Sequence, residues 1–405
     1  MPTTTFGKRQ TFGRRAPSGN FAPPHADVPV KLAFDKEEHA AAAPSKWPLL
    51  TVCLTVILVL IFIAEQIYGV EPAQSLSMDM RTTVALGGSD RYLVFHEGEW
   101  WRIFTAPWLH VGLDHLIGNA ITLLVAGTLL ERMIGRGWLA ALFFIGALGG
   151  SIGSLGYGAT TLVSAGASGA IMCLVTALYT LSYHAVAGRS AKRLRRMALF
   201  VLVPALLPSA AHDGMQIDIG AHFGGFMAGF VLGFVLLALW PEEEPAPQAW
   251  RMAATIAAAG VLVTVFSFAQ IGTHYGIYAA RSAALVPGTM LENSEALEEK
   301  SGDLVRRYPH DPVLRMVLAM DSLRQHYFSD AEQQLRTGLA ERDMLATQFS
   351  PVIEQRMQML LAMTLSAEGR ADEARAAARP ICNLSSRDEF LSQGYGALKN
   401  AAVCD

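Results

Sequence analysis

Apolar residues fall along this chain in seven runs, near residues 48–68, 116–134, 138–156, 168–184, 197–210, 219–240 and 253–272. At ~1.5 Å per residue most are long enough to cross a ~30 Å hydrocarbon layer, so the pattern predicts seven membrane helices. The fourth and fifth runs are short, and Pro204 and Pro208 are expected to kink the fifth or end it early. From about residue 285 the pattern changes. The chain becomes charged, with Leu, Ala and Met at the three- and four-residue spacing of amphipathic helices. The expected fold is all-α: a polytopic membrane helical bundle followed by a small soluble all-α C-terminal domain. The expected divisions are a flexible basic tail (1–46), a membrane core (47–240), a linker with the seventh helix (241–284) and the soluble helical part (285–405).

Composition agrees with this reading. Apolar residues make up 52% of the 405, charged residues only 17%, a poor balance for a soluble protein of this length. The first apolar run begins only after some 46 residues of largely polar, Pro-containing sequence, too late for a cleavable secretory signal. Charge then orients the helices. Lys8, Arg9, Arg14, Arg15, Lys31, Lys36 and Lys46 precede the first helix, Arg132 and Arg136 separate the second and third, and Arg189, Lys192, Arg193, Arg195 and Arg196 are read as the connection between the fourth and fifth. The positive-inside bias puts all three in the cytoplasm, with the soluble C-terminal domain outside; Glu242, Glu243 and Glu244 do not offset this, because acidic residues contribute little to orientation. Cys53 and Cys173 fall within apolar helices and read as packing residues. Cys382 and Cys404 would share an oxidising compartment, either as a disulfide or as two thiols.

Polar side chains at membrane depth are costly and need a partner, a water-filled cavity or a function. His115 and Asn119 share one face of the second helix; Gly166, Ala167, Ser168 and Gly169 open the fourth; Ala221, His222, Phe223, Gly224 and Gly225 lie in the sixth. A serine hydroxyl needs a base to become a nucleophile, and a neutral imidazole is the usual one. Ser168 and His222 are therefore the candidate catalytic pair. Ser168 at a helix start would add a free backbone N–H, and His115 and Asn119 side-chain donors, toward an oxyanion; each such donor is worth about 10²- to 10³-fold in rate. His115 and Asn119 could instead form an interhelical hydrogen-bonded pair. Ala221, Gly225, Gly229 and Gly233 form a small-residue ridge that permits close helix approach. Asp218 reads as a helix cap, His110 as structural, and Trp100, Trp101 and Trp108 as interfacial anchors. Glu99 and Arg102 read as a pair in the first outer loop that would contribute little if exposed.

In order and spacing, the run Glu99-Trp100-Trp101-Arg102, His110, His115-x-x-x-Asn119, Glu131-x-x-x-Gly135, Gly166-Ala167-Ser168-Gly169 and Ala221-His222-x-Gly224 resembles the rhomboid family of intramembrane serine proteases. The resemblance spans residues 48–240 and rests on five motifs together. It implies a six-helix core plus one appended helix, a Ser168–His222 dyad, and cleavage of single-span or other transmembrane protein substrates in a bacterial inner membrane. It also implies supporting roles for Gly166, Gly169, Met172, Trp101 and Arg102. Met172 departs from the pattern: many relatives carry a tyrosine there that stacks on the catalytic histidine, and a thioether would have to pack on that ring instead. The alternative is a non-proteolytic scaffold of the same fold that binds and routes membrane helices.

Two C-terminal stretches, around Leu318–Glu332 and Leu361–Ala374, resemble tetratricopeptide helix hairpins, with small Ala residues where helices would touch. A protein partner for this domain is a natural expectation of such a fold. No cofactor or metal is expected: His-Glu-x-x-His, a paired intramembrane aspartate, a Walker loop and zinc-ligand spacing are all missing from the sequence. Nor does it carry a basic face suited to nucleic acid.

Overall fold

The computed structural model describes residues 47–71, 76–157, 163–186, 188–207, 217–291, 294–384 and 389–404. The expected basic tail and Pro208 lie outside the described residues. Among those described there is no strand, and the molecule is a polytopic membrane helical bundle with an all-α C-terminal part.

The first apolar run forms α1 (Leu49–Tyr68). Pro48 gives its start no side-chain cap, so the first N–H groups need another acceptor. Glu131 supplies it: its carboxylate accepts from Leu50 N (3.1 Å), Thr51 N (2.8 Å) and Thr51 Oγ1 (2.8 Å), and from Arg136 Nε (3.1 Å). A negative charge on a helix N-terminus is also favoured by the helix dipole. The second and third runs form one element, α5 (Leu113–Tyr157), which turns on itself at Gly135 with φ 80 and ψ 167. That backbone region is open to glycine and costly for a residue with a Cβ. At 45 residues α5 has length for two crossings.

Between α1 and α5 the outer loop carries three short helices, α2 (Met80–Ala85), α3 (Arg91–Phe95) and α4 (Arg102–Thr105), with a 3-10 turn at Ala106–Trp108. The core is completed by α6 (Ser168–Ala185), α7 (Gly188–Leu206) and α8 (Ile219–Ala238). Among the described residues four helices, α1, α5, α8 and the long α9 (Trp250–Ala283), satisfy length and hydropathy for crossing by themselves. The more polar α6 does not, and the reason is its position: residues 169–178 are buried without a break. A helix enclosed by protein has no lipid-facing stripe to fill.

One expectation is corrected here. Arg189, Lys192, Arg193, Arg195 and Arg196 belong to the first three turns of α7 and do not form a connection. Hydropathy sees only the apolar half of that helix, whereas Lys and Arg are good helix formers in its interfacial half. The helix ends at Leu206, two residues after Pro204, as the missing donor and ring of proline favour.

α5, α6 and α8 pack on one another through glycines. A Cβ on Gly225 would strike the backbone of Gly169, its carbonyl carbon at 2.7 Å; one on Gly229 would lie 2.8 Å from Cys173 Cα, and one on Gly150 2.9 Å from Gly169 Cα. Backbones this close leave no room for side chains between them.

After α9 come α10 (Gly288–Leu291) and α11 (Ser294–Arg307), then two hairpins, α12 (Pro312–Arg324) with α13 (Phe328–Ala340), and α15 (Pro351–Ala367) with α16 (Ala371–Cys382). The short α14 (Arg342–Gln348) joins them and α17 (Glu389–Asn400) closes the end. Ala319, Ala331, Ala362 and Ala374 are all fully buried, whereas Ala371 is exposed. Cys382 and Cys404 form a disulfide. Cys173 is buried, whereas Cys53 faces outward from α1. This part is tied to the outer loop by Arg81, which donates to Glu71 Oε1 and to Val286 O (both 2.9 Å) and lies 5.0 Å from the Phe349 ring centroid.

Candidate active site

Ser168 is the first residue of α6. The approach to it is extended: Ser164 and Ser89 exchange two backbone hydrogen bonds (2.9 and 2.7 Å), and Gly166 N donates to Ala106 O at 2.9 Å. Gly166 is required twice over. Its φ is +139, and a Cβ there would lie 2.5 Å from His115 Cε1. Ala167 provides no side-chain cap, so N–H groups of the first turn remain open toward an anion. The Ser168 hydroxyl has no hydrogen-bond partner among the described residues.

His222 lies in the first turn of α8, which Asp218 caps by accepting from Ala221 N at 2.8 Å. His222 Nδ1 lies 2.8 Å from the carbonyl oxygen of Ala205, near the end of α7. A carbonyl can only accept, so this bond puts the ring proton on Nδ1 and leaves a lone pair on Nε2. The Gly225 approach sets the first turns of α6 and α8 side by side. Gly169, just after Ser168, meets Ala221, just before His222: a Cβ on Gly169 would be 3.3 Å from Ala221 O.

The two other polar residues of the constellation separate. The His115 ring lies against Gly166, beside the candidate nucleophile, and its buried Nδ1 has no partner among the described residues. Asn119, one turn further on, is buried, and its Nδ2 is 3.0 Å from His110 Nε2. Asn119 thus bonds to His110 and not to His115, against the alternative of a His115–Asn119 pair, and the His110 and His115 rings lie 5.3 Å apart. This bond uses one of the two amide hydrogens of Asn119. Met172 is buried one turn below Ser168.

Sequence reasoning overlooked Glu65. This carboxylate in α1 is 2% exposed, and its two oxygens receive the backbone N–H of His110 at 3.1 and 3.2 Å. It thereby holds the segment that presents His110 to Asn119. An acidic residue inside a strongly apolar 20-residue helix was the available signal.

Above the site, Arg102 is completely buried. Its Nε donates to Glu99 Oε2 (2.5 Å) and its Nη1 to Val84 O (2.6 Å) and Gly88 O (2.8 Å). The pair, which would contribute little if exposed, is thus an internal brace. Its cover comes from α9: Tyr278 OH donates to Glu99 Oε1 (2.8 Å), and the His274 and Trp101 rings lie 5.3 Å apart. Trp101 and Trp108 are buried and only Trp100 is exposed, which corrects the reading of all three as interfacial anchors. Trp108 packs on Phe143 and Phe144 inside the bundle.

Comparison with known proteins places this constellation in context. Residues 97–239 match the family model described as Rhomboid domain. Among curated relatives, the rhomboid protease GluP of Bacillus subtilis (strain 168) is 34% identical over 151 residues, 37% of this chain and 28% of that protein. RHOMBOID-like protein 5 of Arabidopsis thaliana is 38% identical over 153 residues, 37% of this chain and 48% of the relative. The rhomboid protease AarA of Providencia stuartii is 26% identical over 215 residues, 48% of this chain and 76% of the relative. The chain thus spans less than half the length of the first two relatives, and the family match ends before α9 and the C-terminal hairpins.

Proposed function

We propose that this chain is an intramembrane serine endopeptidase that cleaves transmembrane protein substrates, with Ser168 as nucleophile and His222 as general base. The observation that carries the proposal is the His222 Nδ1–Ala205 O hydrogen bond beside the close α6–α8 contact. A base must be held in one tautomer, and a fixed acceptor on Nδ1 does for His222 what a carboxylate does in a triad. No third ionisable group is needed.

In this mechanism Ser168 Oγ attacks the scissile carbonyl while His222 Nε2 takes its proton. The oxyanion forms beside the open N–H groups at the start of α6, the His115 ring and the free hydrogen of the Asn119 amide. Collapse of the adduct expels the amine, which receives the proton from His222. Water then attacks the acyl-enzyme with His222 again accepting a proton, and Ser168 is restored. Met172 supports this site only through packing. Gly166 and Gly169 keep the approach to Ser168 open, and Trp101 and Arg102 brace the loop above it.

The α9–outer loop contacts support a common side of the membrane for the Ser168 end of the bundle and the C-terminal hairpins, while the Arg132, Arg136 and α7 cations occupy the opposite end. By the positive-inside bias we assign the cation-rich end and the N-terminus to the cytoplasm of a bacterium and the hairpins to the periplasm. We further read the α12–α13 and α15–α16 pairs as tetratricopeptide-like and as a docking module for a protein partner. The domain divisions given above, with the core ending near 240 and the soluble part beginning near 285, belong to the same proposal.

The test is cleavage of a single-span substrate in proteoliposomes: Ser168→Ala and His222→Ala should each abolish it, and residual turnover by Ser168→Ala refutes the assignment. Labelling of Ser168 by a fluorophosphonate separates the protease from a helix-binding scaffold, which has no reason to activate its serine.

A further inference from the structure

A groove at the end of the bundle far from Ser168 takes no part in peptide-bond chemistry. It has a volume of about 490 Å³ and is lined by Tyr179, Tyr183, Lys192, Arg195, Arg196 and Leu199. Tyr183 lies 15 residues along α6 from Ser168, roughly 22 Å at the helical rise. The Tyr179 and Tyr183 hydroxyls share a hydrogen bond of 3.0 Å, and the Arg195 guanidinium sits 4.1 Å over the Tyr183 ring centroid. Aromatic and cationic groups are thereby preorganised on one wall.

The charge here is unbalanced. The sequence contains no Asp or Glu between Glu131 and Asp213. Among the described residues, none of Arg189, Lys192, Arg193, Arg195 and Arg196 pairs with a carboxylate. The acidic run Glu242–Glu244 that follows α8 forms no ion pair with them either. Cations of one sign, concentrated in a concave surface, attract an anion with several acceptor oxygens.

The rest of α7 identifies what carries that anion. One turn beyond Arg196 the helix becomes apolar and outward-facing, with Leu199, Phe200 and Val203 exposed, Phe200 at 81%. Phenol rings mark the level where headgroups give way to hydrocarbon. The ligand must therefore be anionic at one end and apolar for the next ~10 Å, as a phospholipid is.

We propose that this groove binds the phosphate headgroup of an anionic phospholipid, held by Lys192, Arg195 and Arg196, with its acyl chains lying along Leu199, Phe200 and Val203. Phosphate oxygens receive the two guanidinium groups and the ammonium, and the tyrosine hydroxyls complete the cradle. The partner is a lipid, since free phosphate would leave the adjoining apolar surface unused.

Native mass spectrometry of the full chain, purified in a nonionic detergent and titrated with phosphatidylglycerol or phosphatidylcholine, tests the proposal. Wild type should retain phosphatidylglycerol in preference to phosphatidylcholine. The variant Lys192→Gln/Arg195→Gln/Arg196→Gln should bind phosphatidylglycerol about a hundredfold more weakly, from roughly fivefold for each cation removed, with phosphatidylcholine unchanged. Should the triple variant lose its cooperative thermal transition, the single variants Arg195→Gln and Arg196→Gln provide the fivefold steps. Arg195→Lys/Arg196→Lys should retain most of the preference. Equal phosphatidylglycerol binding by wild type and the neutralised variants overturns the proposal. So does equal affinity for the two lipids, or displacement of phosphatidylglycerol by millimolar inorganic phosphate alone.

Discussion

Replacing Gly225 with Ala tests the link between helix packing and chemistry. A Cβ at this position would lie 2.7 Å from the carbonyl carbon of Gly169 and 3.0 Å from its Cα, whereas carbon atoms rest at about 3.5–4.0 Å. Since the obstruction is backbone, no side chain can swing away, and α8 must retreat from α6 by roughly 1 Å. Overpacking of this kind costs about 1–3 kcal/mol. The same displacement carries His222 away from Ser168, and a 1 Å misplacement of reacting groups can cost about 10²-fold in rate. Cleavage of a reconstituted single-span substrate should therefore fall about a hundredfold, with the thermal midpoint lowered as well. Gly272→Ala is the control, because a Cβ there meets nothing within 4 Å; its turnover should match wild type. If Gly225→Ala lowers the thermal midpoint but keeps turnover within about threefold of wild type, then the α6–α8 approach does not set the reacting geometry.

Three further outcomes follow from the packing. Glu65→Ala leaves the buried His110 N–H without an acceptor and should cost about 1–3 kcal/mol in stability, read by chemical denaturation in mixed micelles, together with slower turnover as the His110–Asn119 bond loosens; unchanged stability would mean that the N–H finds another acceptor. Tyr278→Phe removes one bond to the buried Glu99 and should lower stability by about 1.5–3 kcal/mol, with faster amide exchange concentrated in residues 84–102; exchange unchanged there would exclude α9 as the brace. Reduction of the Cys382–Cys404 disulfide, which closes a sequence separation of 22, should destabilise the hairpins by roughly 3 kcal/mol, seen as earlier proteolysis beyond residue 351; identical digestion with and without dithiothreitol would show that packing alone secures the chain end.

Much of the bundle was legible because bilayer length and hydropathy are local properties. The run beginning at Leu49, the break at Gly135, the cap at Asp218 and the four buried alanines of the hairpins could all be placed from neighbours in the sequence. What escaped depends on distant residues. Glu99 and Arg102 are three apart and plainly able to pair, but whether that pair is exposed was decided by Tyr278, 179 positions away. The burial of Trp108 was likewise set by Phe143 and Phe144. Around Ser168 the residues of interest were visible as polar exceptions in apolar helices, and their partners were not: spacing put His115 and Asn119 on one helix face, while the bond from Asn119 to His110 depends on how the preceding loop folds back. The half of α7 that carries five cations escaped for another reason. Hydropathy reports where lipid is tolerated and says nothing of where a helix starts.

The brace between Arg102, Glu99 and Tyr278 also has a consequence in time. A ribosome adds about 5–20 residues per second, so the outer loop exists for roughly 10–35 s before the residue that covers it has been made. During that interval Ser168 and His222 are synthesised in turn beneath a loop still missing its final partner. A chain built in this order completes the brace of its outer loop only when α9 arrives, a delay set by the 179 positions between Glu99 and Tyr278.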